Sequence, residues 1–90
     1  MWVVLEHREA TKRLVRAPRQ VQVNYHEWKR IVELQGPPGL RGIKGFRDEA
    51  LRGEWFGFRS SRLDRKWRVI YKVEKERLVV YVVEINPHEY

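Results

Sequence analysis

Residues 66–73 read KWRVIYKV, a run of branched and aromatic residues that belongs in a β-strand. Strand alternation sets Trp67, Val69, Tyr71 and Val73 on one side and Lys66, Arg68, Ile70 and Lys72 on the other. The aromatic, branched set suits a face packed under helices, and the Lys/Arg set faces outward. Working outward, EWFGFRSSRL (54–63) and RLVVYVVEI (77–85) are strand-like in the same way, and DR and EKE between the runs are short enough for hairpins. A two-residue DR loop would set Arg62 opposite Trp67, whereas a three-residue loop, Asp64 to Lys66, would set it opposite Arg68. Facing arginines repel unless an anion lies between them, so the three-residue loop favours a phosphate site.

Upstream, WVVL (2–5) reads as a first strand, and EHREATKRLVRA (6–17) as a helix with Ala10, Leu14 and Ala17 on one face. Pro18 suits the first turn of a new helix. RQVQVNYHEWKRIVELQG (19–36) carries Val21, Tyr25, Trp28 and Val32 on one stripe with Ile31 at its edge, Leu34 off it, and Gly36 as the stop. GPPGLRGIKGFR (36–47) has glycine at every third position; it is too short for a collagen helix and reads as a basic, poorly ordered loop, followed by DEALRG (48–53) as a turn or helical stub. The order β-α-α-β-β-β predicts a single α+β domain over 1–90, a two-helix hairpin on one face of an antiparallel sheet.

The chain has 19 Lys+Arg against 12 Asp+Glu, a net charge of +7. The excess is concentrated in residues 36–72, which hold ten basic and four acidic groups. Arginine dominates there, and its planar fork suits phosphate. Nucleic acid is the partner class this favours over an anionic membrane or an acidic protein. A basic sheet face rimmed by a basic loop is a platform for single-stranded RNA, although a solvated sheet face is often charged for solubility alone. No cysteine is present, which removes disulfides and thiolate metal sites and is compatible with a cytoplasmic location. No apolar run is long enough to cross a bilayer, and the N-terminus does not read as a signal peptide. His7 and His26 have no convincing ligand partners, so no metal or other cofactor is expected. The tryptophans suit the core, with Trp55 the one that could be exposed near the RNA face.

The stretch DEALRGEWFGFRSSRLDRKWRVIYKV (48–73), followed by a strand and an ending in His88 and Tyr90, resembles the RelE/ParE toxin superfamily. It is most similar to the YoeB-like and RelE-like ribosome-dependent mRNA interferases. The likeness runs residue by residue from Glu49 to Tyr90, and upstream only in element order. It implies a RelE-like fold and a toxin of a type II toxin–antitoxin system. Such an enzyme cuts mRNA in the A site of the 70S ribosome, beside 16S rRNA, without a metal. The ribose 2′-hydroxyl attacks the adjacent phosphate, leaving a cyclic phosphate and a 5′-hydroxyl. A cognate antitoxin protein is the other implied partner, and it would cover the sheet and the tail.

By the same resemblance, Glu49 is the general base, Arg68 holds the scissile phosphate, and His88 or Tyr90 is the acid. Arg62 matches a further basic position and is a second phosphate contact, while Arg59, Arg65, Lys66, Lys44 and Arg47, as members of the basic surface, are expected as additional RNA contacts. Each has a plainer reading: Glu49 as a partner for Arg52, with Asp48 one residue away as the rival carboxylate, and the basic groups as solvated charge. Glu89 separates His88 from Tyr90, whereas the two are adjacent in the most similar relatives, so which is the acid stays open. Two other functions fit the fold: a ParE-type gyrase poison, against which the set Glu49, Arg62, Arg68, His88 and Tyr90 speaks, and a basic RNA- or ribosome-binding module without activity.

Overall fold

The computed structural model describes residues 1–87 and is built around the strand at 66–73. Its elements are β1 (Val3–Glu6), α1 (Arg8–Arg16), α2 (Arg19–Gln35), a one-turn helix α3 (Pro38–Arg41), β2 (Glu49–Ala50), β3 (Arg59–Arg62), β4 (Trp67–Glu74) and β5 (Val79–Pro87). The strands form one sheet in the order β1-β5-β4-β3-β2. The three C-terminal strands are antiparallel, as alternation and loop length predict. The first strand joins β5 in parallel, which makes the sheet mixed: the helices carry the chain from β1 at one edge to β2 at the other, and antiparallel pairing through β3 and β4 brings β5 back beside β1.

The helices cover one face. In α2 the predicted stripe is buried, with Val21, Tyr25, Trp28, Ile31 and Val32 inside and Leu34 60 % exposed. Trp28 stacks on Tyr25 at 5.5 Å and meets Tyr71 of β4 edge-on at 5.3 Å. Its indole N–H donates to Ser61 Oγ at 2.9 Å, and the Asn24 amide donates to the Leu63 carbonyl at 2.7 Å, so α2 is fixed to β3 by two polar contacts as well as by packing. The Tyr25 hydroxyl donates to the Glu6 carboxylate and ties the same helix to β1. Burial first, and then the Glu6 contact, push the Tyr25 phenol far above its ordinary range.

Gly36 ends α2 at φ 76°, ψ 175°, a conformation essentially reserved for glycine. A side chain there would also meet the Trp2 indole at 2.5 Å. The segment that follows is more ordered than expected. Residues 38–41 form α3, Lys44–Phe46 form a 3₁₀ turn, and Leu40 and Phe46 are buried. These two apolar anchors are hidden among glycines and prolines, and they supply the burial that a loop lacks.

Two further differences lie next to the expected site residues. Glu49–Ala50 is not a helical stub but a short edge strand pairing with β3, Glu49 opposite Ser60. Strand β3 is also shorter than 54–63, because Gly53–Trp55 turn in a 3₁₀ conformation and Gly57 adopts φ 96°.

Candidate nucleic-acid cleft

The loop between β3 and β4 places Arg62 opposite Arg68, the register of a connection longer than DR alone. Asp64 fixes it: its Oδ1 accepts from the backbone N–H of Lys66 at 2.8 Å and of Trp67 at 2.6 Å. Leu63 N–H donates to the Trp67 carbonyl at 2.8 Å. The next pair, Arg62 and Arg68, is therefore of the non-hydrogen-bonded kind, with Cα atoms about 4.5 Å apart. Two guanidinium stems thus rise side by side from the outer face, the face away from the helices.

They form one wall of a cleft of about 140 Å³ lined by Arg47, Glu49, Leu51, Ser60, Arg62, Asp64, Arg65, Lys66, Trp67 and Arg68. That volume leaves room for a phosphate group. Among the expected site residues, the structure brings Glu49, Arg47, Arg62, Arg65, Lys66 and Arg68 together here. Lys44 is exposed on its 3₁₀ turn and does not line the cleft. His88 and Tyr90 lie outside the described residues.

Arg68 is half-buried, and its Nε is a buried nitrogen with no hydrogen-bond partner among the described residues. Buried donors are nearly always satisfied, so this nitrogen is an exception among the described residues. Arg62 is also half-buried, while Arg65 and Lys66 are exposed. Arg47 is exposed too and adopts the left-handed conformation (φ 43°, ψ 48°), which is unusual for a residue with a side chain and turns the chain into β2.

Alternation separates the two neighbouring carboxylates. Glu49 is exposed and faces the cleft, whereas the Asp48 side chain is fully buried on the helix side. Its Oδ2 accepts from Arg59 Nε at 3.0 Å and Nη2 at 2.8 Å, and its Oδ1 accepts from Ser61 Oγ at 2.8 Å and from the Tyr71 hydroxyl. Burial alone would lower the Arg59 pKa, but the hydrogen bond and charge of Asp48 outweigh it and raise it. Burial and the same carboxylate push the Tyr71 phenol well above its ordinary range. Arg59, expected among the RNA contacts, is therefore turned to the opposite face and held in a buried polar cluster.

Sequence reasoning passes over Leu51, Ser60, Asp64 and Trp67, which also line the cleft. Asp64 carries a readable signal, an Asp at the start of a tight loop. Alternation assigns Trp67 to the helix side; it is partly buried against the core and still reaches the cleft. Ile70 lies in the outward row beside Ser60 yet is fully buried. A bulge in β5 opposite Ile70 and Tyr71 shifts the strand's alternation, so that Val80 and Val82 are buried before it while Glu84 and Asn86 pair with Ile70 and Arg68 after it. Trp55, the tryptophan expected near the RNA face, packs edge-on against Phe58 at 5.3 Å, and its neighbour Phe56 is the exposed aromatic.

Among the described residues no cluster of His, Cys, Asp or Glu could hold a metal ion, and no helix is long and apolar enough to cross a membrane. No family model matches the sequence, and no curated protein matches it. Solved structures do. The chain is similar to the archaeal RelE–RelB complex from Pyrococcus horikoshii, with TM-score 0.75, 25 % identity, and coverage of 96 % of this chain and 93 % of the other. It is similar to the YoeB–YefM complex from Staphylococcus aureus, with TM-score 0.74, 16 % identity, and coverage of 100 % and 99 %. It is similar to a YoeB/ParE toxin from Agrobacterium tumefaciens, with TM-score 0.76, 14 % identity, and coverage of 97 % and 99 %. The fold is that of the RelE/ParE toxin superfamily, in agreement with the resemblance of the C-terminal half.

Proposed function

We propose that this chain is the toxin of a type II toxin–antitoxin pair, a metal-independent endoribonuclease that cleaves mRNA in the ribosomal A site. The observation that carries the reading is the pairing of Arg62 with Arg68 on one wall of a basic cleft, with Glu49 in the same cleft.

Each part has a task. The scissile phosphate sits between the two guanidinium groups, whose donors compensate the charge that grows on its oxygens as the 2′-oxygen bonds to phosphorus. Glu49 accepts the 2′ proton. The bond from phosphorus to the 5′-oxygen breaks, and that oxygen takes a proton from His88 or Tyr90. Strand β5 supports this last assignment, since Asn86 pairs with Arg68 and Pro87 with Trp67, two residues that line the cleft. Arg47, Arg65 and Lys66 rim the cleft and hold flanking phosphates. RelE and YoeB occur in complexes with RelB and YefM in the similar structures, and a protein antitoxin is the corresponding partner proposed here.

The test is primer extension on a defined mRNA with purified protein, with and without programmed ribosomes. Cleavage that requires ribosomes and is lost in Glu49→Gln and Arg68→Ala is the expected result. Binding to ribosomes without cleavage would move the reading to a non-catalytic module. Inhibition of gyrase without RNA cleavage would move it to a ParE-type poison.

A further inference from the structure

The turn between β2 and β3 displays a phenylalanine to solvent in a fixed position. Phe56 is 83 % exposed, although it sits between two other aromatic residues. Trp55 is held edge-on to Phe58 at 5.3 Å, and Phe58 lies under the Lys72 ammonium at 5.6 Å. The backbone is pinned across the turn. Trp55 N–H donates to the Arg52 carbonyl at 3.3 Å, Phe56 N–H to that of Gly53 at 3.1 Å, and Phe58 N–H to that of Trp55 at 2.9 Å. Gly53 and Gly57, at φ 67° and 96°, bracket the turn with open space beside both. The ring is therefore presented by a braced support, not left over from a frayed loop.

A single exposed apolar side chain needs no explanation by itself. Its neighbours make the difference. Leu51 lines the phosphate cleft and also a shallow groove at the sheet edge, which Phe56 and Phe58 border together with Ala50, Arg59 and Val73 from the helix side. Four residue steps separate Phe56 from Ser60 of the cleft, a span of at most about 14 Å. Arg52 and Lys72 are exposed nearby on the same segment and the neighbouring strand. A flat apolar ring set among cations, beside a phosphate site, matches the alternation of base and phosphate along single-stranded nucleic acid.

We propose that Phe56 stacks on a nucleobase flanking the scissile phosphate and so positions the RNA strand along the cleft. The inference rests on the ribonuclease reading above and adds a base-contacting residue to it. Stacking carries little sequence preference, so Phe56 contributes affinity and alignment, not choice of base.

The experiment is fluorescence anisotropy with a labelled 2′-O-methyl RNA of about eight nucleotides, a length within the site sizes typical of such surfaces. It is repeated with a series in which one base at a time is removed, on wild type, Phe56→Leu, Phe56→Trp and Arg68→Ala. Circular dichroism confirms that each variant is folded. Wild type should lose roughly ten-fold in affinity at one abasic position. Phe56→Leu should lose a similar factor on intact RNA, and removal of that base should then cost it nothing more. Phe56→Trp should restore both the affinity and the sensitivity. Undiminished affinity in Phe56→Leu, or the same abasic penalty in wild type and Phe56→Leu, would overturn the inference. If Arg68→Ala is weakened in the same experiment, the ribonuclease reading survives that failure. Absence of RNA binding by wild type at low salt would overturn the stacking inference, and the ribosome-dependent reading would stand or fall by primer extension alone.

Discussion

Asp48 and Glu49 are neighbours in sequence with unrelated duties, and their substitutions should separate cleanly. Asp48→Asn removes the charge opposite Arg59 and replaces one acceptor oxygen by an amide donor, among groups that all now donate to the carboxylate. It should destabilise the fold by about 2 to 3 kcal/mol in denaturant titration, less than for a fully buried pair because Arg59 is partly exposed. Glu49→Gln should leave stability within about 0.5 kcal/mol and cost roughly 10²- to 10⁴-fold in cleavage rate. Loss of folding in Glu49→Gln would count against its place in the cleft. The facing arginines carry an expectation of their own. Arg62→Ala should stabilise the free protein by up to about 0.5 kcal/mol, since a like-charged cross-strand pair is removed. Phosphate should raise the Tm of wild type and do so much less in Arg62→Ala or Arg68→Ala, as binding to the folded state alone requires. The carboxylate rivalry is not decidable from sequence, because a two-residue strand has no periodicity to read. The pairing of Arg62 with Arg68 is legible only as one of two alternative registers, between which the Asp64 loop decides.

At the scale of elements, the molecule depends on how helices and strands are ended. Gly36→Ala should cost about 2 kcal/mol or more, because the backbone conformation excludes a side chain and Trp2 fills the space. A thermal melt that matches wild type would mean that Trp2 can move aside. The helical hairpin is legible in detail, since a 3.6-residue stripe of large apolar residues has one solution. The strands β4 and β5 are legible for their alternation. What escapes are the features that break a pattern. The bulge in β5 adds one residue and re-aims the end of the strand, and nothing in RLVVYVVEI marks where the alternation shifts. The turn at residues 53–57 trims β3 through glycines that adopt positive φ, which alternation alone does not register. In the glycine-rich segment, composition conceals the anchoring roles of Leu40 and Phe46.

For the whole molecule, two buried phenols set an upper limit on pH. Tyr25 and Tyr71 are both held protonated above the ordinary tyrosine range by burial and by an adjacent carboxylate. Once pH passes about 10, the unfolded chain releases protons that the folded chain retains, so stability should fall with rising pH. Urea titrations from about pH 8 to about pH 11, which bracket the ordinary tyrosine range, should show that decline. Tyr71→Phe should flatten it while lowering stability at the neutral end. A pH-independent midpoint in wild type would mean that neither phenol resists ionisation. The family-level fold is recognisable because the resemblance spans the strands that build the cleft. The division of basic residues between cleft and interior is not, since Arg59 and Arg62 are equivalent by composition until β3 is placed. The strand that carries Glu49 has a last implication. Because β2 is only two residues long, a slip of one position would bury Glu49 and turn Asp48 outward, which the interior cluster forbids. The cleft therefore gains its carboxylate only once the buried Asp48 cluster has closed, so assembly of the site is coupled to completion of the fold.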